Sequence, residues 1–207
     1  MHRSDAWAHT LPPEDWINAP IARLMPPTPI TAVVYGEGWK IDALMRGVAD
    51  CLKAGGHALA GFVQINQPRP GRSHCDMILL ELASGERIGI SQDRGEHARG
   101  CMLDVDELLR AGALAMQALE RGPDLLIINK FGKTECEGGG FRALIAEALA
   151  RDIPVLIAVP QANMDNWRRF ADGLATNHPI ETLSDVPSTI CIAIGFHPQK
   201  RQTTNAE

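Results

Sequence analysis

DLLIINKFGKTECEGGG, residues Asp124 to Gly140, reads as a buried strand that stops abruptly. Four apolar residues, Leu125 to Ile128, run into Asn129 and Lys130, and a loop rich in glycine and charge follows. In a parallel sheet, ligands and reacting groups gather at the carboxyl ends of the strands. A nucleotide hydrolase places acids there, to hold magnesium and orient water. This chain places an amide and an amine instead.

The elements around that strand define the fold class. ITAVVYG (Ile30 to Gly36) and IPVLIAVP (Ile153 to Pro160) are apolar runs of strand length, and HALAGFVQI (His57 to Ile65) is a third. IDALMRGVADCLKAGG carries apolar residues at 41, 44, 45, 48, 49 and 52, a helical spacing closed by Gly55 and Gly56. MILLELASGERIGIS predicts a hairpin turned at Ser84-Gly85. In DVDELLRAGALAMQALERG, Asp104 and Glu107 form a capping-box pattern before an amphipathic helix. FRALIAEALARD and MDNWRRFADGL read as helices, the second burying Trp167 and Phe170, and STICIAI reads as a late strand. Helices alternating with strands that are apolar throughout indicate an α/β domain, a mostly parallel sheet in three layers with an antiparallel hairpin. The domain is expected over residues 30–195, after a proline-rich N-terminal arm (1–29) and before a polar tail (196–207). The arm holds six prolines, which block long helices and ladders, and two tryptophans, Trp7 and Trp16, to pin it.

Composition bounds the function. Of the 207 residues, 45% are apolar and 22% charged, ordinary for a soluble globular protein. A net charge of -5 argues against a nucleic-acid partner, which calls for a basic face. No apolar run approaches the ~20 residues of a membrane helix. The N-terminus has no apolar core of a secretory signal, so a cytoplasmic location is expected. Five cysteines (51, 75, 101, 136 and 191) are scattered without a C-x-x-C pair, which disfavours a structural zinc site. SHCDM and RGC leave His74, Cys75 and Cys101 as metal-ligand candidates, with packed, inert thiols the alternative.

The turn YGEGWKID, Tyr35 to Asp42, joins the first strand to the first helix. Two glycines and a lysine before a helix N-terminus suit an anion cradle, since backbone N–H groups and the helix dipole favour negative charge. A complete phosphate loop reads G-x-x-x-x-G-K-[ST]. Here Gly36 and Gly38 are close together, Lys40 does not directly follow a glycine, and Asp42 stands where the magnesium-binding hydroxyl belongs. A plain glycine turn, with Asp42 as a first-turn acid, is the alternative reading.

Taken together, the segments resemble the small P-loop nucleoside-triphosphatases known from thermophiles, also called cancer-related nucleoside triphosphatases. Gly56 matches the glycine that ends that family's second helix, and Gly61 and Phe62 match the Gly-Phe of the strand that follows. NKFGKTE, Asn129 to Glu135, stands where its Asp-Glu-Ile-Gly-Lys-Met-Glu stands. The chain is more similar to a bacterial family labelled a domain of unknown function and described beside molybdate-transport genes. NKFGK (Asn129 to Lys133), Glu135 to Gly138, CDM (Cys75 to Met77) and GCMLD (Gly100 to Asp104) carry that resemblance, over roughly residues 30–175. Against the hydrolase pattern, the strand-end Asp is Asn129 and the following Glu is Lys130. An amide serves magnesium poorly beside a carboxylate, and a lysine serves as a base only where burial lowers its pKa.

The resemblance implies a P-loop-like protein that binds a small anion, a nucleotide or an oxyanion such as molybdate, with magnesium-dependent hydrolysis absent or very slow. Gly36, Gly38, Lys40, Asp42, Asn129, Lys130, Gly132 and Lys133 are the expected anion-binding residues, joined by Arg94 and Arg99 from the loop before the second long helix. The alternatives are an active phosphohydrolase using Asp42, Glu135 or Glu137 as acids, and an interaction module in which the arm exchanges between subunits of a homo-oligomer.

Overall fold

The computed structural model describes residues 28–68, 75–92, 102–183, 187, 190 and 191. The arm up to residue 27, the tail 196–207, and Arg94, Arg99, His74 and Cys101 lie outside the described residues, as does the side chain of Cys75.

Among the described residues the elements are β1 (Ile30–Tyr35), α1 (Ile41–Ala54), β2 (Leu59–Pro68), β3 (Cys75–Glu81), β4 (Arg87–Gly89), β5 (Ser91–Gln92), β6 (Met102–Leu103), α2 (Val105–Leu119), β7 (Leu125–Ile128), α3 (Lys133–Cys136), α4 (Arg142–Ala150), β8 (Val155–Pro160), α5 (Met164–Ala171) and β9 (Ala175–Pro179), and the expected strands and helices up to α5 are among them. Seven strands form one sheet in the order β4-β3-β2-β7-β8-β1-β9, and β5 and β6 make a separate small ribbon. β2, β7, β8, β1 and β9 are mutually parallel, and β3 and β4 add an antiparallel edge. The carboxyl ends of β1, β7 and β8 therefore point to one edge, with β1 next to the strand that follows β7 in the chain. This α/β arrangement is consistent with a P-loop-like fold.

The period-two alternation of each strand divides the core in two. Leu126 and Ile128 of β7, with Ala32 and Val34 of β1, face a layer made by α2, α4 and α5. Leu125, Ile127 and Val33 face α1, together with Ile180, Ile190 and Cys191. All four residues of β7 are buried, as a strand covered on both faces requires.

The local signals act largely as read. Asp104 caps α2, its carboxylate accepting from the backbone N–H of Asp106 and Glu107 at 3.2 Å. The return half of the capping box is not made: the Asp104 N–H donates to the Ile90 carbonyl, and the Glu107 side chain accepts from Arg110. The hairpin turn is tied by buried Glu81, which accepts from the N–H of Ala83 and from the Ser84 hydroxyl. Two expectations are corrected. Ile190 and Cys191 are helical rather than part of a late strand, because they cap α1 instead of extending the sheet. The edge position beside β1 is filled by β9, a mostly polar stretch whose pattern gave no strand signal.

At Gly61, in β2, no side chain fits. Its φ is +92°, and an added Cβ would lie 2.1 Å from the Ile127 carbonyl oxygen in β7. Gly61→Ala is expected to cost about 2–4 kcal/mol, from the strained φ plus the forced separation of two central strands, read by denaturant unfolding.

Candidate functional site

The carboxyl ends of β7 and β1 bring Asn129 beside the first turn of α1. Asn129 is buried, and its Nδ2 donates to Asp42 Oδ1 at 2.7 Å. Its Oδ1 accepts from the Gln64 backbone N–H at 3.0 Å. β2 and β7 pair in parallel up to Phe62 and Ile128, so the amide oxygen of Asn129 stands in for the next backbone carbonyl once β7 ends. A backbone N–H only donates and a carboxylate only accepts, which fixes the orientation of this amide. A second path reaches the same acid. Gln64 Nε2 donates to Asn66 Oδ1 at 2.7 Å, and Asn66 Nδ2 donates to Asp42 Oδ2 at 2.6 Å. Gln64, Asn66, Asp42 and Asn129 thus close a ring of directed hydrogen bonds that ends on one carboxylate.

Asp42 occupies the second position of α1, after Lys40 at the cap and Ile41, where the helix dipole favours an anion. Gly38, with φ +86°, supplies the turn out of β1. Lys130 Nζ lies 4.0 Å from Asp42 Oδ1, an ion pair too long for a direct hydrogen bond. Burial of the ring, and after it the Asp42 carboxylate, push the Tyr35 phenol from 10.0 up to about 12.

The predicted cationic group does not converge as a whole. Lys130 turns to Asp42, and Lys40 lines a cleft of about 460 Å³ together with Trp39, Asp42, Arg46, Gln64 and Asn66. Lys133 lies on the outside, its side chain 88% exposed and paired with Glu137 at 3.7 Å. Phe131 sets this pattern. It is fully buried against Trp167 and Phe170, its N–H donates to Ala158, and its carbonyl accepts from Asn163 Nδ2 at 2.8 Å. With residues 129 and 131 both held inward, Lys130 is left at the rim.

Glu135, a candidate acid, is buried and serves the loop. Its Oε2 accepts from the Gly132 N–H and its Oε1 from the Phe141 N–H, each at 2.9 Å. The Gly132 amide is thereby used internally. A Cβ on Gly140 would meet Glu135 Oε1 at 2.0 Å, so the third glycine of the loop makes room for this carboxylate. Of the three candidate acids, Asp42 is the one that reaches the cleft. Among the described residues, no group of three or more His, Cys, Asp or Glu side chains is placed to hold a metal ion.

Three contributors escaped the sequence reading. Gln64 and Asn66 lie in a strand whose partner residues are far away in the chain, and Trp39 is a large exposed apolar side chain within the glycine turn. The alternation of polar residues at 64 and 66 was the available signal for the first two.

Residues 30–184 match the family described as "Protein of unknown function (DUF2478)", and the chain belongs to it. The chain is also similar to the Molybdenum import ATP-binding protein ModC 2 of Bradyrhizobium diazoefficiens, 34% identical over 150 residues. That match covers 72% of this chain but 17% of the relative, so the chain spans a small part of that protein's length. No solved structure is significantly similar to the chain. Among the described residues no helix is long and apolar enough to cross a membrane.

Two measurements check this geometry. Asn129→Asp removes the donor and opposes two carboxylates, so it is expected to destabilise by about 2–4 kcal/mol at neutral pH and by clearly less in acid, where one carboxylate protonates. Adding Asp42→Asn to that variant restores a donor–acceptor pair and should recover most of the loss. The single tyrosine of the chain reports on the acid directly. Its absorbance titration should centre near pH 12 and move down in Asp42→Asn. Because the folded value lies above the unfolded 10.0, the contribution of Tyr35 to stability is complete below pH 10 and is lost as pH rises through about 12.

Proposed function

We propose that this member of the family is a P-loop-like binding module. It holds a nucleotide or a small oxyanion such as molybdate in the cleft beside α1, and splits phosphate very slowly or not at all. The observation that carries the reading is the Asn129–Asp42 hydrogen bond of 2.7 Å. In the hydrolase pattern a hydroxyl on the helix and an acid on the strand share a magnesium ion. Here the acid is on the helix and the strand supplies an amide, and both oxygens of that acid accept side-chain hydrogen bonds. Magnesium would have to displace those donors beside an ammonium group 4.0 Å away. Lys130 also replaces the acid that would orient water.

Binding does not need that machinery. The α1 N-terminus and Lys40 offer positive character on one wall of the cleft, and Trp39, 39% exposed, offers an aromatic face for a base. A volume of about 460 Å³ is in the range of small-molecule sites. The similarity to an ATP-binding protein of molybdenum import supports the choice of nucleotide and molybdate as ligands.

Calorimetry with ATP, GTP and molybdate, with magnesium and with a chelator, tests the reading. At least one of these anions should bind equally well without magnesium, and phosphate release should stay at background. Lys40→Gln should weaken that binding about tenfold, the loss of one charge-assisted contact. Absence of binding for all three at millimolar concentration, or phosphate release that requires magnesium, would sink it.

A further inference from the structure

A second cavity lies on the opposite face of the sheet from α1. It has a volume of about 210 Å³. Its floor is made by Phe62, Leu79, Ile90, Leu108, Ile128 and Phe141, all buried, and it opens at the strand-end loop. Phe62 and Phe141 stack along it, with ring centroids 5.0 Å apart and planes 22° from parallel. These residues belong to the core half built by α2, α4 and α5, whereas Ile41 of the first cleft belongs to the half built by α1. Asn129 is the partition, since its amide turns toward Asp42 and it also lines the second cavity.

The chemistry of floor and mouth differs. The floor is apolar. The mouth is lined by Gln64, Lys130, Lys133 and Thr134 beside Glu135, whose two oxygens already accept backbone N–H groups. Lys130 is 4.0 Å from Asp42, and an ammonium group carries three N–H donors, so the ion pair does not use up its capacity. An apolar cavity of about 150 Å³ lined by such residues accommodates a benzene ring, so 210 Å³ holds a ring with a second one fused to it.

We propose that this cavity is a ligand site for a small aromatic acid, its flat ring system on the Phe62–Phe141 wall and its anionic group at Lys130. The site lies on the other face of the sheet from the cleft beside α1, the two meeting at Gln64 and at the Lys130–Asp42 pair. It gives the strand end a second use: Lys130 selects a charge.

The probes are naphthoate and the corresponding neutral naphthyl alcohol, titrated into the full chain by calorimetry. Naphthoate should bind, and more tightly than the alcohol. Lys130→Gln should weaken naphthoate about tenfold and leave the alcohol nearly unchanged, as loss of one charge-assisted contact predicts. Leu103→Trp, at the cavity rim, should abolish both, and Leu108→Phe fills the same space from α2 if the first variant does not fold. Trp39→Ala, on the other cleft, should leave naphthoate binding intact while it weakens nucleotide. Failure of naphthoate to bind at about one millimolar, a free energy near -4 kcal/mol, overturns the proposal. So does binding that survives both filling variants, or equal affinity for acid and alcohol.

Discussion

A carboxylate on the first turn of a helix can only accept hydrogen bonds, and the strand end facing it must therefore donate. That constraint organises the edge of the sheet. Asp42 meets Asn129 across 87 residues of sequence, and the amide oxygen is then left to continue the ladder with Gln64. An aspartate at 129 could satisfy Gln64 but would repel Asp42; a leucine could do neither. The amide is the side chain that serves both neighbours, which ties the identity of residue 129 to that of residue 42. Charge that a hydrolase carries on the strand is carried here on the helix, where the backbone dipole favours it.

The loop after β7 is built to hold this arrangement still. Phe131 is clamped by Trp167 and Phe170, and Glu135 gathers the amides of Gly132 and Phe141 onto one buried carboxylate. Arg142 covers the outside, its guanidinium 4.6 Å above the Phe170 ring. The result is a strand end whose side chains alternate inward and rimward as if the strand continued. Residues with the composition of a mobile, charged loop become a fixed wall between two cavities of different character. One cavity carries charged and amide side chains among its lining and opens beside the helix N-terminus, and the other has an apolar floor and opens under Lys130.

This geometry also explains why charge counting along the chain overstates the site. Lys130 and Lys133 are close in the motif, yet each answers to a different partner. Lys133 lies one helical turn before Glu137 and pairs with it on the surface. Lys130 answers to Asp42. The acids flanking the lysines are what direct them, and in a short helix that direction follows from spacing rather than from any ligand.

Much of the fold was legible in the residues. The continuous apolar runs of β1, β7 and β8 required burial on both faces, the spacing in α1 and α2 required a helix against a sheet, and Asp104 marked where α2 begins. Asn129 was visible as an amide where the hydrolases that the chain resembles carry an acid. β9 was not, because its residues are polar and its strand character comes from pairing with β1 rather than from its own pattern. The helical state of Ile190 and Cys191 was not either, since an apolar run of that length suits a strand or a helix equally and the surface of α1 selected the helix. By itself the sequence determined the central apolar strands and the two long helices, where the first glycine turn falls, and that the strand end carries an amide and an amine. These follow from periodicity and residue chemistry, which are local. Only the tertiary structure decided that Asn129 donates to Asp42, that Gln64 and Asn66 complete the ring, and that Glu135 serves the loop. Those pairings depend on strand order and register, and a shift of one residue would have turned every one of these side chains to the other face.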